Sequence, residues 1–131
     1  MRKFKFRAWD RVAKEMFFCT KQFSIAVSMC GSVIGYEENE EKSQEIVVYD
    51  GRFIIEQFTG LTDVNGVEIY EGDIVEHNGL LKEILFYEGS FIARTIGYGA
   101  LSDMSLIRFA TNRTFKVIGN IHENPELVGK V

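Results

Sequence analysis

The stretch GLTDVNGVEIYEGDIVEHNG, residues 60–79, gathers six side chains able to bind a cation or move a proton: Asp63, Glu68, Glu71, Asp73, Glu76 and His77. A calcium loop is the first chemistry to consider. It requires oxygen ligands at alternate positions and a glycine at the sixth. Counted from Asp63, Gly66 stands at the fourth position, and no bidentate Glu follows at the right distance. An acid–base site, such as a hydrolase built around Asp73 and His77, is the second. On a strand through 73–77, Asp73, Val75 and His77 share one face and Ile74 and Glu76 the other, so the acids do not converge within hydrogen-bond reach. Turn chemistry explains the same residues. Asp63 and Asn65 cap turns, Gly72-Asp73 kinks the chain into a strand, and Val67, Ile69, Ile74 and Val75 supply apolar packing. The stretch reads as a folding motif.

The remaining candidates are sparse. His77 and His122 are the only histidines, and neither has a second ligand at zinc spacing. His77 stands beside a turn and reads as solvated. Cys19 and Cys30 lie apart from any histidine and read as small buried thiols. No glycine-rich phosphate loop and no G-x-S-x-G elbow occurs, and GYGALSD around Tyr98 reads as a loop. The sequence therefore offers no catalytic, metal or cofactor residue.

One basic feature stands out. KFKFRAWD alternates, with Phe4, Phe6 and Ala8 on one face and Lys3, Lys5, Arg7 and Trp9 on the other. Lys3, Lys5, Arg7 and Trp9 are thus the candidate contact to a nucleic acid or another partner, the cations on phosphate and the ring on a base. The same cations on a strand edge also discourage sheet-to-sheet aggregation.

Composition limits the classes. The chain has 131 residues, 46% hydrophobic, with 11 Phe, 5 Tyr and one Pro, which fits one globular domain with its own core. The net charge of −4 covers a split, because residues 1–21 are basic and residues 36–45, YEENEEKSQE, hold five glutamates. An acidic total does not concentrate nucleic acid by bulk charge. Two cysteines make no disulfide framework, and no signal peptide or membrane-length apolar run appears. A reducing cytoplasm is the expected setting.

The elements that would position these residues are mostly strands. Strand KFKFRAWD turns through DRVAKE into a return strand at MFFCTKQF, and 36–45 reads as an exposed mobile loop. Asp50-Gly51, Asn78-Gly79 and Glu88-Gly89 each sit between apolar runs and signal hairpins, and Asn65-Gly66 tightens another turn. Leu101, Met104, Ile107 and Ala110 recur behind Ser102 and predict a short helix. TFKVIGNI is a last strand, after which Asn124-Pro125 opens a helical turn.

Three separated pieces resemble the YopX family, small proteins encoded mostly by phages and prophages of Gram-positive bacteria. They are KFRAWD…KEMFF at 5–18, FTGLTDVNGVEIYEGDIV at 58–75 and VIGNIHENPELV at 117–128. The resemblance implies a β-rich fold and a phage or prophage origin. It carries over no catalytic residue. His122 stands where members have an aromatic residue.

Together these readings predict a single, mainly β domain. Its parts are an N-terminal hairpin region (1–35), an acidic loop (36–45), a small barrel of about five strands (46–121) and a C-terminal turn (122–131). The expected function is that of a non-catalytic accessory protein without cofactor or metal, acting through protein contacts as a homo-oligomer in a host cytoplasm. A nucleic-acid-binding module is the alternative, and no membrane partner is expected.

Overall fold

The computed structural model describes residues 3–18, 25–28, 31–38, 40–41, 44–49, 51–97, 104–106 and 114–129. The protein is mainly β, with a curled half-barrel sheet and a 3-10 turn near the C-terminus. Its residues cluster into two compact units, 6–55 on one hand and 1–5 with 56–131 on the other.

In the 6–55 unit, β1 (Phe6–Asp10) and β2 (Glu15–Phe17) form the expected hairpin, with Asp10 opposite Glu15. Asp10 makes the turn: its Oδ1 accepts from the Val12 and Ala13 N–H groups at 2.9 and 3.1 Å. A three-stranded antiparallel sheet follows, ordered β3 (Ile25–Val27), β4 (Val33–Glu38), β5 (Gln44–Tyr49). The acidic stretch is therefore not the expected mobile loop over 36–45. Glu37 and Glu38 pair with Glu45 and Gln44, and of the described residues between these strands 40 and 41 form a turn. Ladder bonds come from the backbone and form whatever side chains the strands carry.

Asp50 lies outside the described residues, and Gly51 has φ 74°. The hairpin expected there does not form. β5 is the outer strand of its sheet, and β6 (Phe53–Thr62) leaves it to lie beside β1. Arg52 turns the chain that way. Its main-chain oxygen accepts from Arg11 N at 2.9 Å, and its guanidinium holds Asp10 with two bonds of 3.1 and 2.8 Å. Ala8, Val33 and Phe53 form the core of this unit, with Phe17, Tyr49 and Ile55 against it.

The larger unit contains the later part of β6, β7 (Glu68–Tyr70) and a five-stranded antiparallel sheet. The sheet is ordered β11 (Met104–Leu106), β10 (Ser90–Thr95), β9 (Leu80–Tyr87), β8 (Asp73–His77), β12 (Lys116–Asn120). Its core is Ile69, Val75, Ile84, Ala93 and Phe115, with Leu61, Phe91 and Val117 packed on it. Val67, expected in the core, is 47% exposed because it sits in the loop ahead of β7. The turns at 78–79 and 88–89 are as expected: Asn78, Gly79, Glu88 and Gly89 have φ of 51°, 79°, 48° and 84°. Two adjacent positive φ values define the type I′ turn that matches strand twist.

Met104–Leu106 is a strand, not the expected helix, and residues 101–103 and 107–110 lie outside the described residues. The edge of β10 offers unpaired backbone groups, and pairing Ile92 with Leu106 satisfies them. Thr114 is helical, just ahead of the last strand. A 3-10 turn spans Pro125–Val128 with Asn124 at its N-cap position. The Asn124 side chain reaches back instead to accept from Asn120 N at 3.2 Å, in space that a side chain on Gly119 would occupy.

Gly79→Val places a β-branched residue at positive φ. We expect it to lower unfolding stability by about 1–3 kcal/mol. An unchanged urea midpoint would refute the turn assignment.

Candidate functional site

In the acid-rich stretch Asp63, Glu68, Glu71 and Asp73 have occupied carboxylates, and Glu76 is exposed. Asp63 is 3% exposed and takes three backbone N–H groups: Asn65 and Val67 on Oδ1 at 2.8 and 2.9 Å, and Val117 on Oδ2 at 2.9 Å. Burial raises its pKa, but these donors, with Lys116, outweigh it and leave the carboxyl below the ordinary aspartate value. Asp73, 2% exposed, accepts from Tyr70 N at 2.8 Å, and Glu71 accepts from Gln57 N at 2.7 Å. Glu68 pairs with Lys5 at 2.7 Å. Asp63, Glu71 and Asp73 thus point at separate peptide groups and Glu68 at an ammonium. Among the described residues no group of three His, Cys, Asp or Glu could hold a metal ion.

The basic strand is arranged differently from its alternation. Lys3 is exposed and Lys5 half-buried against Glu68, with its ammonium 5.6 Å from the Phe58 ring centre. Arg7 and Trp9 are 5% and 7% exposed, whereas Phe4 and Phe6 are 61% and 40% exposed. The four expected contact residues therefore do not share a solvated face. Arg7, Ala8, Trp9 and Asp10 are all buried, so both faces of β1 are covered and period-two reading loses its meaning there. Trp9 carries a large apolar ring and Arg7 a long aliphatic stem, and both favour burial.

Asp10 forms a buried charged centre in the 6–55 unit. Asp10, 1% exposed, is held by Arg52 and by the Val12 and Ala13 N–H groups. The Arg52 hydrogen bond, opposed by burial and helped by the backbone donors, brings Asp10 down to about 2. The guanidinium also lies 5.8 Å from the Tyr49 ring centre and 5.2 Å from that of Phe53. Beside these rings runs an open groove of about 440 Å³, lined by Gly31, Ser32, Val33, Val48, Tyr49, Gly51 and Phe53. It holds no ionisable carboxyl, imidazole or amine.

Sequence reading missed the most buried pair of the larger unit. Glu56 Oε2 and His122 Nε2 are 3.0 Å apart, with side chains 5% and 11% exposed. A methyl on Gly72 would overlap the Glu56 carboxylate, so the glycine makes the space that this pair uses. The only sequence signal was Glu56 sitting in phase with Phe58, which is 7% exposed. His77 is not solvated as expected. Its ring stands edge-on to Phe115 at 4.8 Å, and burial, then the Lys82 charge, holds its pKa below the ordinary value. Cys19, Cys30 and Tyr98 lie outside the described residues.

The motifs that do this work, at 58–75 and 117–128, fall inside the match of a family model, the YopX protein, over residues 5–129. The chain belongs to the YopX family. A crystal structure of protein EF1440 from Enterococcus faecalis is similar at TM-score 0.61 and 28% identity, covering 98% of this chain and 99% of that one. The X-ray structure of protein YopX from Bacillus subtilis is similar at TM-score 0.63 and 19% identity, covering 100% and 99%, a likeness that shows the fold. No curated protein matches the chain. For this YopX-family chain, Gly60, Gly66 and Gly72 in the middle motif supply positive φ, and its acids clamp backbone donors.

Two outcomes follow from this geometry. Gly66 and Gly72 both have positive φ, yet only Gly72 faces a side chain. Gly66→Ala is expected to lose about 1–2 kcal/mol from left-handed backbone alone. Gly72→Ala should lose distinctly more, since it also displaces a buried carboxylate. Equal losses in chemical denaturation would refute the assignment of that space to Glu56.

The second outcome concerns pH. The folded pKa of Asp10 is depressed from 3.8 to about 2. Its stabilisation is therefore complete above the higher value and lost as pH falls through that window. Asp10→Asn should be less stable at neutral pH and flatter in its stability profile below pH 4, roughly the unfolded aspartate pKa. Parallel profiles for the two proteins would contradict the Asp10–Arg52 assignment.

Proposed function

We propose that this YopX-family protein is a non-catalytic accessory protein of phage or prophage origin that acts through protein contacts as a homo-oligomer. The observation that supports this reading is apolar surface continuous with the core. On the core-facing side of the five-stranded sheet, Ile84 and Ala93 are fully buried. The same side then runs to Phe86 and Phe91, which are cross-strand partners with rings 5.1 Å apart, and Phe86 is 53% exposed. Tyr87, at the same end of β9, is 36% exposed. Aromatic side chains that emerge from a core are what a second subunit covers in a symmetric contact. The clamped carboxylates agree with a non-catalytic role, because their oxygens are occupied by peptide donors.

The setting inferred for this activity is a host bacterial cytoplasm. Among the described residues no helix is long and apolar enough to cross a membrane.

Sedimentation velocity at increasing concentration tests the reading. We expect the wild type to sediment above the monomer and Phe86→Glu to shift toward it, with an unchanged amide spectrum. A wild type that stays monomeric throughout would overturn self-association. Salt-sensitive binding of single-stranded nucleic acid at physiological ionic strength would move the protein to the nucleic-acid class.

A further inference from the structure

We infer that His77, Lys82 and Thr95 form a binding site for a single small oxyanion, a carboxylate or phosphate group, at one end of the core-facing side of the five-stranded sheet. Register places the three together. Lys82 on β9 pairs with Val75 on β8 and with Thr95 on β10. Directly opposed residues share a face with Cβ atoms about 5 Å apart, and a diagonal neighbour lies about 7–8 Å away. His77 is that diagonal neighbour, two residues beyond Val75 on the same face.

Each of the three presents a donor: the Lys82 ammonium, the Thr95 hydroxyl and a ring nitrogen of His77. Thr95 is 2% exposed and Lys82 is 7% exposed. Among the described residues, the Thr95 hydroxyl and His77 Nδ1 are the buried side-chain atoms without a hydrogen-bond partner. The other imidazole nitrogen, Nε2, lies 3.3 Å from Asn78 Nδ2. An amide nitrogen can only donate, so Nε2 accepts and Nδ1 carries the proton. Among the described residues no ion pair or side-chain hydrogen bond engages the Lys82 ammonium.

A buried donor left unsatisfied carries a desolvation penalty, which falls here on Thr95 and His77, and the Lys82 ammonium adds a positive charge beside them. Water would supply an acceptor but no charge. A carboxylate or phosphate oxygen supplies both, and charge-assisted bonds of this kind are the stronger ones. Burial is the larger cause of the lowered His77 pKa and the Lys82 charge the smaller, and a bound anion offsets the second of these. This site is independent of the oligomer reading, which rests on the opposite, aromatic end of the same face.

The test follows the His77 ring signals of isotope-labelled protein during titration with inorganic phosphate, acetate or chloride at matched ionic strength. We expect phosphate or acetate to move the His77 signals saturably and to raise its titration midpoint, with chloride inert. Phosphate alone responding would assign the group to phosphate, and acetate alone to carboxylate. Lys82→Met and Thr95→Val should each weaken the response, Lys82→Met by roughly tenfold or more. If Lys82→Met fails to fold, the isosteric Thr95→Val decides. Signals that respond to phosphate and acetate no more than to chloride would overturn the proposal and leave water as the partner of these donors. An undiminished response in the folded variants would overturn it equally.

Discussion

The larger unit depends on the absence of a side chain at Gly72. That residue has φ 87°, donates its N–H to Ile84 O at 2.7 Å and accepts from Ile121 N at 2.9 Å. The space beside its Cα is filled by the Glu56 carboxylate, which pairs with His122. β6, the β7–β8 turn, β9 and the end of β12 therefore meet at one point. A buried carboxylate is tolerated only when its oxygens are bonded, and here an imidazole reaches it because the backbone stands close. Packing density does the rest, since Ile69, Ile74, Val75 and Ile84 around this point are fully buried.

A second constraint repeats in both units: short turns leave backbone N–H groups without ladder partners, and aspartates take them up. Asp63 accepts three such groups and connects its turn to β12, while Asp10 accepts two and adds Arg52. This is why the middle motif resembles a cation site. Both situations gather carboxylate oxygens around partial or full positive charge. For Asp63, Glu71 and Asp73 the positive charge is the peptide dipole, and the three carboxylates are directed to different donors.

The core-facing side of the five-stranded sheet changes character along its length. Aromatic side chains emerge at the Glu88-Gly89 end, aliphatic residues fill the middle, and the polar group of His77, Lys82 and Thr95 closes the other end. The YopX-family motifs at 58–75 and 117–128 build the scaffold that holds this face. Three of the residues named here as binding groups, Lys82, Thr95 and the exposed Phe86, lie outside those motifs on β9 and β10.

What the sequence determined alone was local. Asn78-Gly79 and Glu88-Gly89 were legible because the demand for two adjacent positive φ values is met within the dipeptide. Asp63 was legible as a turn residue because two of its three donors lie within four positions of it. Tertiary structure decided the rest. Arg7 and Trp9 are buried because β1 is covered on both faces, which no alternation in KFKFRAWD encodes. Met104–Leu106 is a strand because β10 leaves an edge for it. Glu56 and His122, 66 residues apart, meet only because Gly72 lets two segments approach. Backbone torsions are set within a few residues, whereas burial and pairing depend on which distant surface arrives alongside, and a linear pattern carries no record of that.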